Sequence, residues 1–349
     1  MLFCVFAKSE LRHLFEVLSY NCLVGPTVKE TSPESWPLYA YEQVFDFADL
    51  AFEHTTTSHS PKKYFLPHRL TMASYALNDQ SWRKEVHFTP ETPVVFFGMH
   101  ACDINALNRL DKVLLDSTYP NPFYAARRRN TFIVGTSCSP QPFCFCESMD
   151  CETVLHGCDL FITDIGELYF CEIRSSAAYQ VLQGISTKEA KSEHHALFIQ
   201  AAKKRKAQFT SQMDTTDLVM ILDMEFQAEV WHEWGRRCLS CGTCASVCPT
   251  CYCYGTEQLI DLTLGSARKE MRLYSCNLVD FAEVAGGFNF RPESATRLKY
   301  RYYHKHRGFV EAFEESLCVG CGRCGQACLA DIAPVDVIAS VRREAEEDG

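Results

Sequence analysis

No apolar run in the 349 residues approaches the roughly 18 needed to cross a bilayer, so no membrane helix is expected. Basic charge is in deficit. The 34 Lys and Arg stand against 44 Asp and Glu, a net charge of −10, which argues against nucleic acid as the main partner because phosphate backbones are bound by basic surfaces. No Gly-x-Gly-x-x-Gly follows a strand, and there is neither a phosphate-binding P-loop nor a Gly-x-Ser-x-Gly elbow. These absences remove the usual nucleotide sites and the serine-hydrolase constellation. A secretory leader is also missing: in "MLFCVFAKSELRHLF" the lysine follows a short apolar patch instead of preceding a long one. The expectation is a cytoplasmic protein. At 47% hydrophobic and 22% charged it is globular, with enough apolar material for a core.

Cysteine, by contrast, is abundant, with 20 residues. In a large chain without a leader, clustered cysteines point to metal before they point to a disulfide framework. Cys238, Cys241, Cys244 and Cys248 are spaced C-x2-C-x2-C-x3-C with Pro249 next; Cys318, Cys321, Cys324 and Cys328 repeat the spacing with Leu329 in the proline's place. This is the run that holds 4Fe–4S clusters in bacterial ferredoxins, where the fourth cysteine ligates the other cluster. The expected sets are therefore crossed: Cys238, Cys241, Cys244 and Cys328 for one cluster, Cys318, Cys321, Cys324 and Cys248 for the second. Zinc is the competing reading, but its four-cysteine sites use two separated pairs. Gly242, Gly320, Gly322 and Gly325 lie between the ligands, where they let backbone N–H groups approach sulfur.

Residues 1–225 have α/β character and 226–349 look all-α, giving an α+β chain: an N-terminal α/β domain followed by a helical, ferredoxin-type two-cluster domain. "LRHLFEVLSY", "YEQVFDFADLAF" and "TKEAKSEHHALFIQAAKKRKAQF" have helical spacing; "TPVVFFGMHACDINALNRLDKVLLD" reads as strand, turn, helix; "RNTFIVGTSC" is a strand; and "DLFITDIGELYFCEI" is a hairpin. Beyond residue 225, "MEFQAEVWHEWGRRC", "GTEQLIDLTLGSARKEMRLYSC" and "PVDVIASVRREAEE" read as helices.

Cys102, Cys138, Cys144 and Cys146 fall at the ends of expected strands, the edge where α/β sheets build sites. They are candidates for a third 4Fe–4S cluster, with His100 and Asp103 as substitute ligands. Buried free thiols, a disulfide or zinc remain open. Cys251, Cys253 and Cys276 read as small hydrophobes near the first run, and Cys4, Cys22, Cys151, Cys158 and Cys171 as structural. "RLKYRYYHKHRG" gathers Arg297, Lys299, Arg301, His304, Lys305, His306 and Arg307, either as countercharge for anionic clusters or as a solvated basic helix. Lys62, Lys63 and Arg69 of "PKKYFLPHR" face a cluster or water.

"CLSCGTCASVCPTCYCY", "YRYYHKH" followed by "CVGCGRC", "ACDINALNRLD", "CFCESM" and "PKKYFLP" together resemble the dicluster iron–sulfur subunits of cytosolic multi-subunit reductases. That family includes the beta subunit of sulfhydrogenase-type soluble NiFe hydrogenases, together with the dicluster iron–sulfur component of anaerobic sulfite reductase. The resemblance implies a subunit that carries electrons between a flavin subunit handling NAD(P)H and a catalytic subunit. It places the cluster role on the eight cysteines of the two runs and marks Cys102, Cys144 and Cys146 as shared motif positions, with Cys138 just upstream. The hydrogenase complex is the favoured reading and the anaerobic sulfite reductase complex, with its siroheme subunit, the alternative. A catalytic enzyme acting at the 102–146 cysteines, and a redox sensor or scaffold, are readings of other classes.

Overall fold

The computed structural model describes residues 2–30, 38–78, 83–88 and 93–348. Its strands are β1 (Leu2–Ala7), β2 (Cys22–Glu30), β3 (Leu38–Gln43), β4 (Arg69–Ala76), β5 (Lys84–Val86), β6 (Val94–His100), β7 (Thr131–Thr136), β8 (Leu160–Asp164), β9 (Leu168–Ile173), β10 (Thr187–Glu189), β11 (Tyr254–Ile260) and β12 (Ser266–Leu273). One sheet has the order β10-β1-β9-β8-β7-β6-β2-β3. Its middle strands β2, β6, β7 and β8 are parallel. The flanking pairs are antiparallel.

The parallel centre follows from composition. "VVFFGMH" and "TFIVGT" are unbroken apolar runs, as strands covered on both faces require. Alternate side chains go to opposite faces. Val95, Phe97, Val134 and Ile162 pack with Leu11, Leu14 and Phe15 of the helix Glu10–Leu18. Phe96, Ile133 and Phe161 pack on the other face with Ile104, Leu107 and Leu110 of the helix Ala101–Leu114. Helix and sheet thus hold the carboxyl ends of β6 and β7, where Cys102 opens the helix and the loop 137–146 begins.

The second sheet, β11-β12-β4-β5, corrects the expected fold class. Residues 254–273 form an antiparallel hairpin, with Glu257 opposite Glu270 and Leu259 opposite Arg268, and β12 pairs with β4. The part beyond residue 225 is not all-α. The helical reading is misled by Ile260, Leu262 and Leu264, which look like a buried stripe but stand exposed at the hairpin tip, Leu262 fully so. There Asp261 accepts from Thr263 N, and Leu264 takes a left-handed φ of 57°. "YEQVFDFADLAF" is likewise strand β3 and a short turn over Phe47–Asp49, not a helix. "TKEAKSEHHALFIQAAKKRKAQF" splits into edge strand β10 and the helix Ser192–Lys206. Among the described residues no helix is long and apolar enough to cross a membrane.

A third core wraps both cysteine runs. Trp231, Leu298, Tyr302, Val337, Ile338 and Val341 pack there with Cys102, Cys144, Cys146 and Cys321. The contact between the runs and the sheet edge is made of backbone. Phe145 N donates to the Gly320 carbonyl at 2.7 Å. A Cβ on Gly322 would lie 2.1 Å from the Phe143 carbonyl oxygen, at a φ of 69° that side chains rarely adopt. Gly322→Ala therefore combines strain with a collision against backbone and should cost at least about 1–3 kcal/mol. A lower unfolding midpoint is expected, and an unchanged one would contradict this packing.

Candidate metal centre

Each cysteine run is a loop followed by one turn of helix. Cys238 closes the helix Val230–Arg237; Ser240 (φ 52°) and Gly242 (φ 78°) then turn the chain into the helix Thr243–Val247, which carries Cys244. The second run repeats the two left-handed positions at Gly320 (φ 67°) and Gly322 and enters the helix Arg323–Gln326, which carries Cys324. These repeated turns fold three sulfurs of each run around one space. Cys238, Cys241, Cys244 and Cys328 line one cavity together with Cys324, which both cavities share. Cys248, Cys318, Cys321 and Cys324 line the next. Both are small, about 40 and 20 Å3, and they share a wall of Arg301, Tyr302, Cys324 and Pro334.

Charge around the second cavity is one-sided. Lys62, Arg301 and Lys305 are all buried, yet none is in an ion pair with a carboxylate among the described residues. Arg301 donates to Cys251 Sγ at 3.3 Å and to the Cys244 carbonyl at 3.1 Å. Lys305 donates to Thr250 Oγ1 at 2.9 Å and Lys62 to the Cys251 carbonyl at 2.9 Å. Burial of such charges without a countercharge is expensive. Here the countercharge is sulfur. Burial opposes the Lys305 ammonium, but Cys248 and Cys251 together outweigh it and raise its pKa. The Cys248 thiol is held well below its ordinary range, first by the Cys251 hydrogen bond and then, against burial, by Lys305, Arg301 and Lys62. The π-turn His304–Gly308 follows the helix Ser294–Tyr303 and carries Lys305 and His306 inward.

The rest of "RLKYRYYHKHRG" divides by position. Lys299 lies over the Phe226 ring and Arg307 pairs with Asp223, both at the surface. Burial, and then the neighbouring Lys305 and Arg301, lower the histidines, His304 to about 4 and His306 to about 3, which favours their neutral forms. Lys63 lies over the Tyr64 ring and Arg69 pairs with Glu270.

Four thiols per cavity, an apolar lining and cations lacking carboxylates are the donor set and charge balance that an anionic iron–sulfur cube needs. Among the described residues no group of His, Cys, Asp or Glu could hold a lone metal ion; the thiols surround a space instead of meeting at a point. Residues 237–332 match the family model described as 4Fe-4S dicluster domain. The chain is also 35% identical, over 309 residues, to Sulfhydrogenase 2 subunit beta of Pyrococcus furiosus, a match covering 87% of this chain and 89% of that protein.

The chain belongs to the sulfhydrogenase beta-subunit family.

No solved structure matches it. As a member of the sulfhydrogenase beta-subunit family it is a 4Fe–4S protein, and the buried cations acquire a role in tuning. Lys305→Met should lower the potential of the second-cavity cluster by on the order of 100 mV, since a positive charge that favours the reduced state is lost. Redox titration followed by electron paramagnetic resonance measures this, and no shift would remove Lys305 from that role.

The sheet-edge cysteines are only partly brought together. The Cys146 thiol lies within hydrogen-bonding reach of Cys102 and Cys144. It also donates to the Gly320 carbonyl at 3.3 Å, so this trio abuts the second run. Cys138 acts on Cys102 and Cys144 through space only and lines a different cavity. Asp103 has both oxygens on Arg323, at 2.7 and 2.8 Å, and His100 is stacked on His54 at 3.9 Å.

Sequence reasoning misses four features of the site. Cys251 pairs with Cys248, and Cys253 with Cys276. Asn277 Nδ2 donates to Cys244 Sγ at 3.2 Å. Cys151 accepts from Arg109 at 2.8 Å. The "CYC" spacing beside the first run hints at the cysteine pairs; nothing in the sequence points to Asn277 or Arg109.

Proposed function

We propose that the chain relays electrons between a flavin-bearing subunit that handles NAD(P)H and the catalytic subunits of a soluble NiFe hydrogenase. Two 4Fe–4S clusters are held by Cys238, Cys241, Cys244 and Cys328 and by Cys248, Cys318, Cys321 and Cys324. The observation that carries this reading is the pair of four-cysteine cavities with a common wall. When bound, such clusters supply one-electron donors and acceptors. The chain's own residues do the rest. Leu298, Tyr302 and Ile332 keep water from the first cavity. Cys241 is exposed between the projecting Leu239 and Leu329, which offers that cavity to a docking partner. Arg301 and Lys305 hold the negative charge of the sulfurs in the wall and in the second cavity. We extend the reading to a third cluster on Cys102, Cys144 and Cys146, with Cys138 as the fourth candidate, at the carboxyl ends of β6 and β7. This group lies beside the second run, where it continues the line of sulfur away from the exposed Cys241.

Two measurements test the proposal. Iron analysis of anaerobically prepared protein gives about eight irons per chain for two cubes and about twelve for three. In the assembled complex, Cys241→Ser should stop electron flow from NAD(P)H to hydrogen evolution and leave flavin reduction intact. Normal turnover in that variant, or reduction of protons, sulfur or sulfite by the isolated chain, would end the relay reading.

A further inference from the structure

The carboxyl ends of the parallel strands β7 and β8 open onto a cavity separate from both cluster cavities. Thr136 and Ser137 line it from β7 and the residue after, Thr163 and Asp164 from β8, Glu53 and His54 from the 51–54 segment, and Lys204 and Arg205 from the helix Ser192–Lys206. Its volume is about 340 Å3, within the range of small-molecule sites, and the carboxyl edge of a parallel sheet is where such sites form.

Three polar atoms of its lining are buried and without a partner among the described residues: His54 Nε2, Thr163 Oγ1 and Arg205 Nε. His54 and Thr163 are 3% and 2% exposed. Native proteins satisfy nearly all buried polar atoms, so three unmet ones around a single space ask for a ligand.

The charges that remain available decide its sign. Asp164 is paired with Lys8 at 2.7 Å, while Glu53 accepts from the Tyr169 hydroxyl at 3.4 Å and keeps its charge, the one acid of the lining left unpaired among the described residues. Lys204 and Arg205 are in no ion pair among the described residues. The hydroxyls of Ser137, Ser139 and Thr163 add groups that can donate to a ligand oxygen. Two available cations with hydroxyl donors suit an oxyanion, which guanidinium groups bind with paired, charge-assisted hydrogen bonds.

We propose that this cavity is a binding site for a small molecule recognised through an oxyanion group, held by Arg205, Lys204 and Thr163. Cys138, one of the sheet-edge cysteines, lies on its border. A bound anion would therefore stand next to Cys138. The site does not depend on the relay reading, and its failure leaves the two four-cysteine cavities unaffected.

The test uses the full chain with its iron, and selenate and inorganic phosphate as probes. Crystals soaked in selenate locate the ion by anomalous scattering, and calorimetry follows phosphate. The expected result is a selenium peak within hydrogen-bonding distance of Arg205 and Thr163. Phosphate binding should weaken about tenfold or more in Arg205→Gln and in Thr163→Val, each change worth about 1.4 kcal/mol per decade. Cluster absorbance unchanged in both variants certifies that they fold. No peak in the cavity, peaks only on surface lysines (an adventitious ion only), or equal phosphate binding by wild type and Arg205→Gln would each overturn the proposal.

Discussion

Asp103→Ala should destabilise the protein by about 3–5 kcal/mol, the range found when one member of a buried ion pair is removed. Asp103 lies in the first turn of the helix Ala101–Leu114, and Arg323 sits between the second-run cysteines Cys321 and Cys324. Their side chains are 0% and 1% exposed and meet through two parallel hydrogen bonds. Arg323 also donates to the Thr57 carbonyl at 2.8 Å and to its hydroxyl at 3.0 Å. Without Asp103 the guanidinium stays buried with only neutral acceptors. The cost falls on the turn that positions Cys321 and Cys324, so iron retention should drop together with the denaturant midpoint. The double variant Asp103→Ala/Arg323→Met should recover much of the loss, since no charge is then stranded. A single variant within about 1 kcal/mol of wild type, a typical surface effect, would show that the pair is not a structural anchor.

The second large effect concerns which cavity fails when a cysteine is replaced. Cys328 belongs to the second run, yet its sulfur lines the cavity of Cys238, Cys241 and Cys244; Cys248 belongs to the first run and lines the cavity of Cys318, Cys321 and Cys324. Cys328→Ser should accordingly disable the first-cavity cluster and Cys248→Ser the second, each with a loss of up to about four irons per chain and of electron throughput. The two cavities differ in their surroundings, because Lys305 and Lys62 neighbour Cys248 but not Cys328. Their paramagnetic signals and potentials should differ in the same way. If Cys328→Ser removed the signal that responds to Lys305→Met, the crossed arrangement would be wrong.

Legibility from sequence follows the range of the signal. The two runs are readable because the spacing itself brings sulfurs to one place, and the parallel strands because "VVFFGMH" and "TFIVGT" need cover on both faces. The hairpin 254–273 escapes because β4, the partner of its second strand, lies 190 to 203 residues earlier, from Ser266 opposite Ala76 to Arg272 opposite Arg69. Periodicity within one segment does not report such a partner, and exposed leucines at the tip imitate a helix stripe. Two of the five Lys and Arg residues of the basic segment do face the sulfurs, but nothing local separates Arg301 and Lys305 from Lys299 and Arg307. The π-turn after Tyr303, which helps set that division, has no obvious sequence signature. Proximity along the chain groups Cys138 with Cys102, Cys144 and Cys146, while the fold places it on the border of another cavity.

Backbone contact between the 143–146 loop and Gly320 and Gly322 bears on how such a protein can be divided or recombined. A carboxyl-terminal fragment carrying both cysteine runs would contain every cysteine that lines the two principal cavities, yet it would present two bare glycine surfaces and an arginine deprived of its acid. Electron carriers are often exchanged between complexes as independent cassettes. This one is welded to its neighbour through main chain, so inheritance, swapping and engineering must treat the whole chain as the unit.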